Sequence, residues 1–234
     1  MQVTEFHPWQ VSTAEARAIQ ERLAQGVKRE NEVRDPGLVA GADISVRRGE
    51  RMGVAAVVVL GYPDLGLREV QVVRGELTFP YVPGLLTFRE APLVITAWER
   101  LSLKPDLLLV DGQGIAHPRR FGLAAHLGLL LDLPTIGCAK SRLCGEYAEP
   151  AAAAGSYAYL KDGEEVIGAV TRTRREVKPL FISIGHRVDL AAAIHWTLAC
   201  GRGHRLPEPT RLAHQAAGGN LRVPEGCLAG AAGE

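Results

Sequence analysis

Three carboxylates, Asp43, Glu90 and Asp111, stand where a carboxylate needs a reason. Asp43 lies inside the apolar stretch VAGADISV. Asp is depleted in strands and costly to bury unpaired, so it calls for an edge or bulge position or for a compensating cation. Asp111 ends the run Leu107-Leu108-Leu109-Val110 and precedes Gly112 and Gly114. A carboxylate leaving the C-terminal end of a strand buried on both faces emerges at the sheet rim, where open α/β sheets bind ligands. Asp-Gly is also ordinary turn chemistry, and the two glycines permit a tight turn or a close backbone approach. His117, Arg119 and Lys140 flank the same strand ends, and three basic groups near one carboxylate suit a metal and a phosphate. Glu90 falls near a helix start, where it could merely favour the positive helix end. Together the carboxylates offer hard oxygen ligands for Mg2+ or Mn2+. Such ions activate a water and stabilise the leaving oxygen of a phosphodiester. Lys140 and His214 are candidates for neutralising charge or assisting proton transfer.

The elements that must position these residues follow from periodicity. Ser12 and Glu15 have capping-box spacing before a helix through Ile19, Leu23 and Val27, with an end expected near 28–31. Strands are expected over 38–46, 53–61 and 67–77, joined by turns, one of them at 47–51. Residues 79–84 read Phe-Pro-Tyr-Val-Pro-Gly, a stiff loop whose Tyr81 could pack on its own loop or serve as a wedge or stacking platform for a base. A helix is expected over 85–101, with Pro92 falling early, where a helix tolerates it. After the 107–110 strand come a helix over 120–132 and a strand over 134–139. A hairpin is expected around Asp162-Gly163, then a strand over 180–184 and helices over 189–200 and 207–217. Arg172, Arg174, Arg175 and Lys178 form a basic cluster, either a solvated edge or a phosphate contact. Residues 1–220 read as a single domain, and the Gly/Ala-rich stretch 221–234 as a loose, flexible tail.

This β-β-β-α-β-α-β succession predicts an α/β fold: a ribonuclease H-like mixed sheet of order 3-2-1-4-5, flanked by helices. In that order strands one and four are neighbours, so Asp43 and Asp111 can face each other and share a divalent ion.

Composition excludes several classes. The chain has 234 residues, 47% hydrophobic and 23% charged, with a formal net charge of +1, so any phosphate-binding face must be a local patch. Its cations are mostly Arg, which suits bidentate phosphate contacts but would also follow from a GC-rich genome. Cys138, Cys144, Cys200 and Cys227 match no common zinc spacing and are expected to be reduced thiols. No apolar run reaches membrane-span length, and Glu5, His7 and Trp9 replace the basic start and apolar core of a signal peptide. A cytoplasmic location, no membrane partner and a monomer are the resulting expectations.

The chain resembles the endonuclease V family of deoxyinosine-directed repair nucleases. The resemblance rests on VAGADIS around Asp43, PYVPGLLTFRE ending at Glu90, DGQGIAHPRRFGLAAHLG from Asp111, Ala139-Lys140, and TRLAH ending at His214. It implies a ribonuclease H-like fold with Asp43 and Asp111 as metal ligands and Glu90 as a third acidic member. It implies supporting catalytic roles for Lys140 and His214, and a place near the DNA for His117 and Arg119. Pro80-Tyr81-Val82-Pro83 would be the wedge that opens the duplex. Gly84, Leu85, Leu86, Gly112 and Gly122 would build the pocket for the flipped base, whose extrusion costs less at a damaged pair. The implied reaction is a Mg2+-dependent nick, with Mn2+ as a substitute, at the second phosphodiester bond 3′ to deoxyinosine or another deaminated base. It leaves 3′-hydroxyl and 5′-phosphate and removes no base. The partner would be deaminated DNA, double- or single-stranded, with inosine-containing RNA as the alternative. A non-catalytic nucleic-acid-binding module fits poorly with buried carboxylates, since binding alone favours basic residues. A Rossmann-like domain fits poorly with a G-x-G lacking its third glycine and with the initial antiparallel meander.

Overall fold

The apolar runs around Asp43 and before Asp111 become the central parallel pair of the sheet. In the computed structural model, which describes residues 3–46 and 50–229, β1 (Leu38–Val46) pairs in parallel with the strand 107–110. The elements in order are α1 (Thr13–Ala24), β1, β2 (Met52–Gly61), β3 (Leu67–Glu76), α2 (Leu86–Glu99), β4 (Leu107–Val110), α3 (Leu123–Leu131) and β5 (Thr135–Ala139). There follow β6 (Tyr157–Asp162), β7 (Glu165–Thr171), β8 (Leu180–His186), α4 (Leu190–Ala199), α5 (Glu208–Ala217) and β9 (Leu228–Ala229). The described strands form one mixed sheet of order β6-β7-β8-β5-β4-β1-β2-β3-β9. The expected 3-2-1-4-5 run is its centre, in a ribonuclease H-like fold. The sheet is wider than that run: β8, β7 and β6 add antiparallel strands beyond β5.

Alternation along β1 and β4 divides the core in two. Val39, Leu107 and Leu109 pack with Ala193, Ile194, Leu212 and Ala213 of α4 and α5. Ala40, Ala42, Leu108 and Val110 pack with Ala91, Val94, Trp98, Ala124 and Leu127 of α2 and α3. Successive side chains on a strand point to opposite faces. Asp43 and Asp111, the next odd-numbered residues, therefore lie on the α4–α5 side.

Several local expectations need correction. α1 stops at Ala24, because the backbone N–H of Lys28 turns away to His186 Nδ1 at 3.2 Å. α3 starts at Leu123 and not at residue 120, because Arg120 has a left-handed φ of 55° and its guanidinium is tied to Glu165 and Asp162. Pro92 lies inside α2, past its first turn, where it removes a helical donor. The stretch after 220 is not wholly loose, since Leu228 and Ala229 pair in parallel with Glu69 and Val70. Part of the turn expected at 47–51 (residues 47–49) and the last residues of the tail (230–234) lie outside the described residues.

Candidate active site

The ladder between β1 and β4 brings two acids together. Ala42 is level with Val110, and the Asp111 N–H donates to Ala42 O at 3.0 Å, so Asp43 and Asp111 are the next row of the same parallel pair. Adjacent strands lie about 4.8 Å apart, so two carboxylates on one face of one row must interact. Burial and the charge of Asp111 push Asp43 up to about 6, against the hydrogen bond from His214 and the charge of Lys140.

His214 reaches this row because α5 crosses β1 at backbone contact. A Cβ on Gly41 would lie 2.1 Å from Pro209 O, so only glycine admits the first turn of α5 at that distance. About one and a half turns of helix later, His214 Nδ1 lies 2.6 Å from Asp43 Oδ2. Lys140, just after β5, places Nζ in an ion pair with Asp111 Oδ2 and 3.5 Å from His214 Nδ1. The shorter distance to a carboxylate puts the imidazole proton on Nδ1 facing Asp43, which leaves Nε2 as the acceptor.

One ligand atom each from Asp43, Asp111 and His214 lies within 4.8 Å of the others. The donor set fits a hard divalent cation. Asp111 Oδ2 is buried and accepts no aligned hydrogen bond, and the Lys140 ammonium is its ion-pair partner among the described residues. Two carboxylates on one face, with spare lone pairs on a buried oxygen, are the hard donors a divalent cation takes, and the ammonium on that oxygen marks a place where positive charge is favoured.

Glu90 stands outside that tight group. It belongs to α2, which packs on the other face of the sheet, and it comes to the strand ends from that side. It still senses the acids: burial and then the charge of Asp43, with a smaller push from Asp111, raise it to about 7 against Arg89.

A cavity of about 360 Å³ opens beside the acids, in the size range of small-molecule sites. Gly84, Leu86, Gly112 and Gly122 line it with Glu90 and Asp111. Leu85, expected there too, is fully buried in the cluster of Phe79 and Phe88 behind the wall. Val82 to Leu85 is a β-turn, closed by Leu85 N–H to Val82 O at 2.9 Å, with Pro83 and then Gly84 at its corner. Gly84 has φ +78°, the left-handed value that this position of a type II turn demands. The turn holds Tyr81 outward at the cavity mouth, 70% exposed.

His117 and Arg119 do not gather at Asp111 as expected; Lys140 alone of the three does. His117 Nε2 donates to Gly84 O at 2.9 Å and the Arg119 guanidinium donates to the same oxygen at 2.8 Å. The Arg119 N–H in turn faces His117 Nδ1 at 3.2 Å, which assigns the proton to Nε2. Burial lowers His117 to about 4, so the ring is neutral. The basic cluster also divides. Arg172 is buried, donating to Ala151 O, Val177 O and Pro150 O and pairing with Glu149, so it ties loops together and is no phosphate contact. Arg174, Arg175 and Lys178 are exposed.

Residues outside the sequence reading complete the site. Thr87, Gln113, Arg142 and Leu143 also line the cavity. Arg205 donates to Lys140 O at 2.6 Å and to Pro179 O at 2.8 Å, fixing the backbone that carries Lys140. Gln20 of α1 reaches Gly84 O. Lone polar residues bonding to distant backbone leave no spacing signal; the one hint was a glutamine on the apolar stripe of α1.

The sheet and the acids at the ends of its central parallel strands define a ribonuclease H-like protein with a candidate metal centre. The family profile described as Endonuclease V matches residues 21–215. An endonuclease V of Dehalococcoides mccartyi is 52% identical over 217 residues, 93% of this chain and 97% of that one. The crystal structure of the endonuclease V of Streptomyces avermitilis is similar with a TM-score of 0.85 and 43% identity, over 93% of this chain and 96% of that one. The Ciona intestinalis endonuclease V, solved in complex with a 24mer DNA containing an inosine followed by a ribo-adenosine, has a TM-score of 0.77 and 27% identity, over 88% of this chain and 96% of that one. The chain belongs to the endonuclease V family.

Proposed function

We propose that this protein is a Mg2+-dependent endonuclease that nicks DNA at the second phosphodiester bond 3′ to a deoxyinosine. It leaves a 3′-hydroxyl and a 5′-phosphate. The observation that carries the reading is the Asp43–Asp111 row, whose buried Asp111 oxygen accepts no aligned hydrogen bond and meets the Lys140 ammonium as an ion-pair partner. Asp43 and Asp111 would hold the cation, with Glu90 beside them. When bound, the ion supplies Lewis-acid activation of a water and of the phosphoryl oxygen.

The chain's own residues do the rest. His214, oriented by Asp43 through Nδ1, offers Nε2 to take or return a proton during hydrolysis. Lys140 offsets the negative charge that two carboxylates and a phosphodiester bring to one place. Tyr81 on its rigid turn is the wedge, and the cavity behind it takes the flipped base. His117 and Arg119 serve the DNA by locking the Gly84 turn. DNA phosphates close to the exposed cations add affinity without sequence preference.

The test is strand mapping on an end-labelled duplex with one deoxyinosine, with and without Mg2+. One nick on the 3′ side of the lesion, only with metal, is the expected result. No nick with lesion binding retained overturns the reaction. The ribo-adenosine after the inosine in the Ciona intestinalis complex favours inosine-containing RNA as the second reading. The same assay on a matched RNA strand decides between them.

A further inference from the structure

Gln20 is fully buried, on the stripe of α1 that also buries Ala16 and Leu23. Every hydrogen-bonding group of its amide has a partner. Nε2 donates to Gly84 O and to Phe121 O, each at 3.1 Å, and Oε1 accepts from Arg119 Nε at 2.6 Å. The orientation is unambiguous, because the flipped amide would set its oxygen against two carbonyls.

The two carbonyls belong to different walls of the cavity. Gly84 closes the turn behind Tyr81, and Phe121 precedes Gly122, the residue that caps α3. One NH2 group therefore ties both walls together from behind. Arg119, held by the same amide, adds a second tie by donating to Gly84 O, where His117 also donates. Three donors on one carbonyl exceed what its two lone pairs need, so the position of Gly84 is over-determined.

Resting on the reading of this cavity as the base pocket, we propose that Gln20 is a positioning residue that sets the spacing of its two walls, and thereby the discrimination between a deaminated purine and an ordinary base. It touches neither the acids nor the substrate. Loss of its amide leaves the Phe121 carbonyl short of a donor and Arg119 Nε without its acceptor, while Gly84 O keeps His117 and the Arg119 guanidinium but loses its tie to the Phe121 wall. The walls then move apart, the pocket accepts inosine less well, and the chemistry at Asp43 and Asp111 is left intact.

The experiment compares the parent protein, Gln20→Leu and Gln20→Glu with Ile194→Ala. Ile194→Ala is a destabilising control in α4, whose Ile194 packs in the core on the opposite side of the sheet from α2 and α3. Binding to strands with and without one inosine is measured with Ca2+ in place of Mg2+, together with single-turnover cleavage at saturating enzyme. Thermal unfolding is recorded for all four. In both Gln20 variants the dissociation constant for the inosine strand rises about tenfold, as loss of one or two buried hydrogen bonds predicts. That for the undamaged strand and the saturated cleavage rate stay within about twofold. Ile194→Ala keeps the parent's ratio of the two affinities at an equal or larger loss of thermal stability. An unchanged ratio in the Gln20 variants, or an equal fall in Ile194→Ala, overturns the proposal. A parent with no preference for inosine overturns the functional reading, and this proposal with it.

Discussion

His214 Nδ1 and Asp43 Oδ2 are 2.6 Å apart, joining the last helix of the chain to its first strand across 171 residues of sequence. The contact depends on Gly41, which admits α5 onto β1 at backbone distance. Gly41→Ala must push Pro209 away and carry His214 with it. We expect about 1–3 kcal/mol of destabilisation, typical of overpacking, and a cleavage rate reduced to near that of His214→Ala. His214→Ala itself should lower the rate about a hundredfold or more, as loss of a general acid–base group does. Denaturant unfolding and single-turnover kinetics check both, and a fully active Gly41→Ala would break the link between α5 packing and the site.

The raised acids make metal-free stability fall with pH. Asp43 and Glu90 sit at about 6 and about 7, above their ordinary values of 3.8 and 4.5. The folded state therefore binds more protons than the unfolded chain across that interval, and its stability declines as pH rises through it. Asp43→Asn should raise the metal-free melting temperature at pH 8 and leave it nearly unchanged at pH 4. Mg2+ should stabilise the parent at pH 8 and hardly move the variant. Melting curves at both pH values, with and without EDTA, decide this. Equal stabilisation of parent and variant by Mg2+ would remove Asp43 from the ligand set.

His117 works in the opposite direction. Its folded-state value of about 4 lies below the ordinary 6.5, so the unfolded chain takes up the proton first. Its contribution is present above pH 6.5 and is lost as pH falls toward 4, on the order of 3 kcal/mol in full. His117→Gln keeps a donor near Gly84 O and cannot titrate. Its stability should fall less steeply between pH 6.5 and 4 than the parent's. Parallel curves would show that the ring is not held neutral.

Tyr81 is 70% exposed, so Tyr81→Ala should leave stability within about 0.5 kcal/mol. Lesion binding should weaken about tenfold or more, the scale of one lost base–aromatic stack. Mg2+ affinity, read from thermal stabilisation, should not change. Equal lesion affinity in variant and parent would refute the wedge.

Much of this architecture was legible in the chain. The run before Asp111 lacks polar alternation, so it read as a buried strand whose closing carboxylate pointed to the sheet rim, and Asp43 inside its own apolar strand called for a compensating cation or an edge or bulge position. The Pro83-Gly84 pair marked a turn because Pro favours its first corner and Gly its positive-φ second corner. The additional strands β6 to β8 were seen as a hairpin and a lone strand. Their attachment beyond β5 was hidden, because an apolar run does not name its neighbour. The hydrogen-bond partner shared by His117 and Arg119 was hidden for a related reason. Their nearness to Asp111 in sequence suggested nearness in space, yet both turn back to Gly84.

The amino-acid sequence by itself determined which segments are strands and helices, which side chains are chemically costly to bury, and where the backbone must turn. These are local matters of periodicity, side-chain type and backbone preference. The expected strand order already set Asp43 and Asp111 on neighbouring strands; tertiary structure alone decided the register that levels them, that His214 completes the group while Glu90 approaches from the other face, and that Gln20 ties the cavity walls. Those contacts depend on parallel register and helix packing, long-range pairings whose energies are summed over the whole sheet and carry no signature at any single residue.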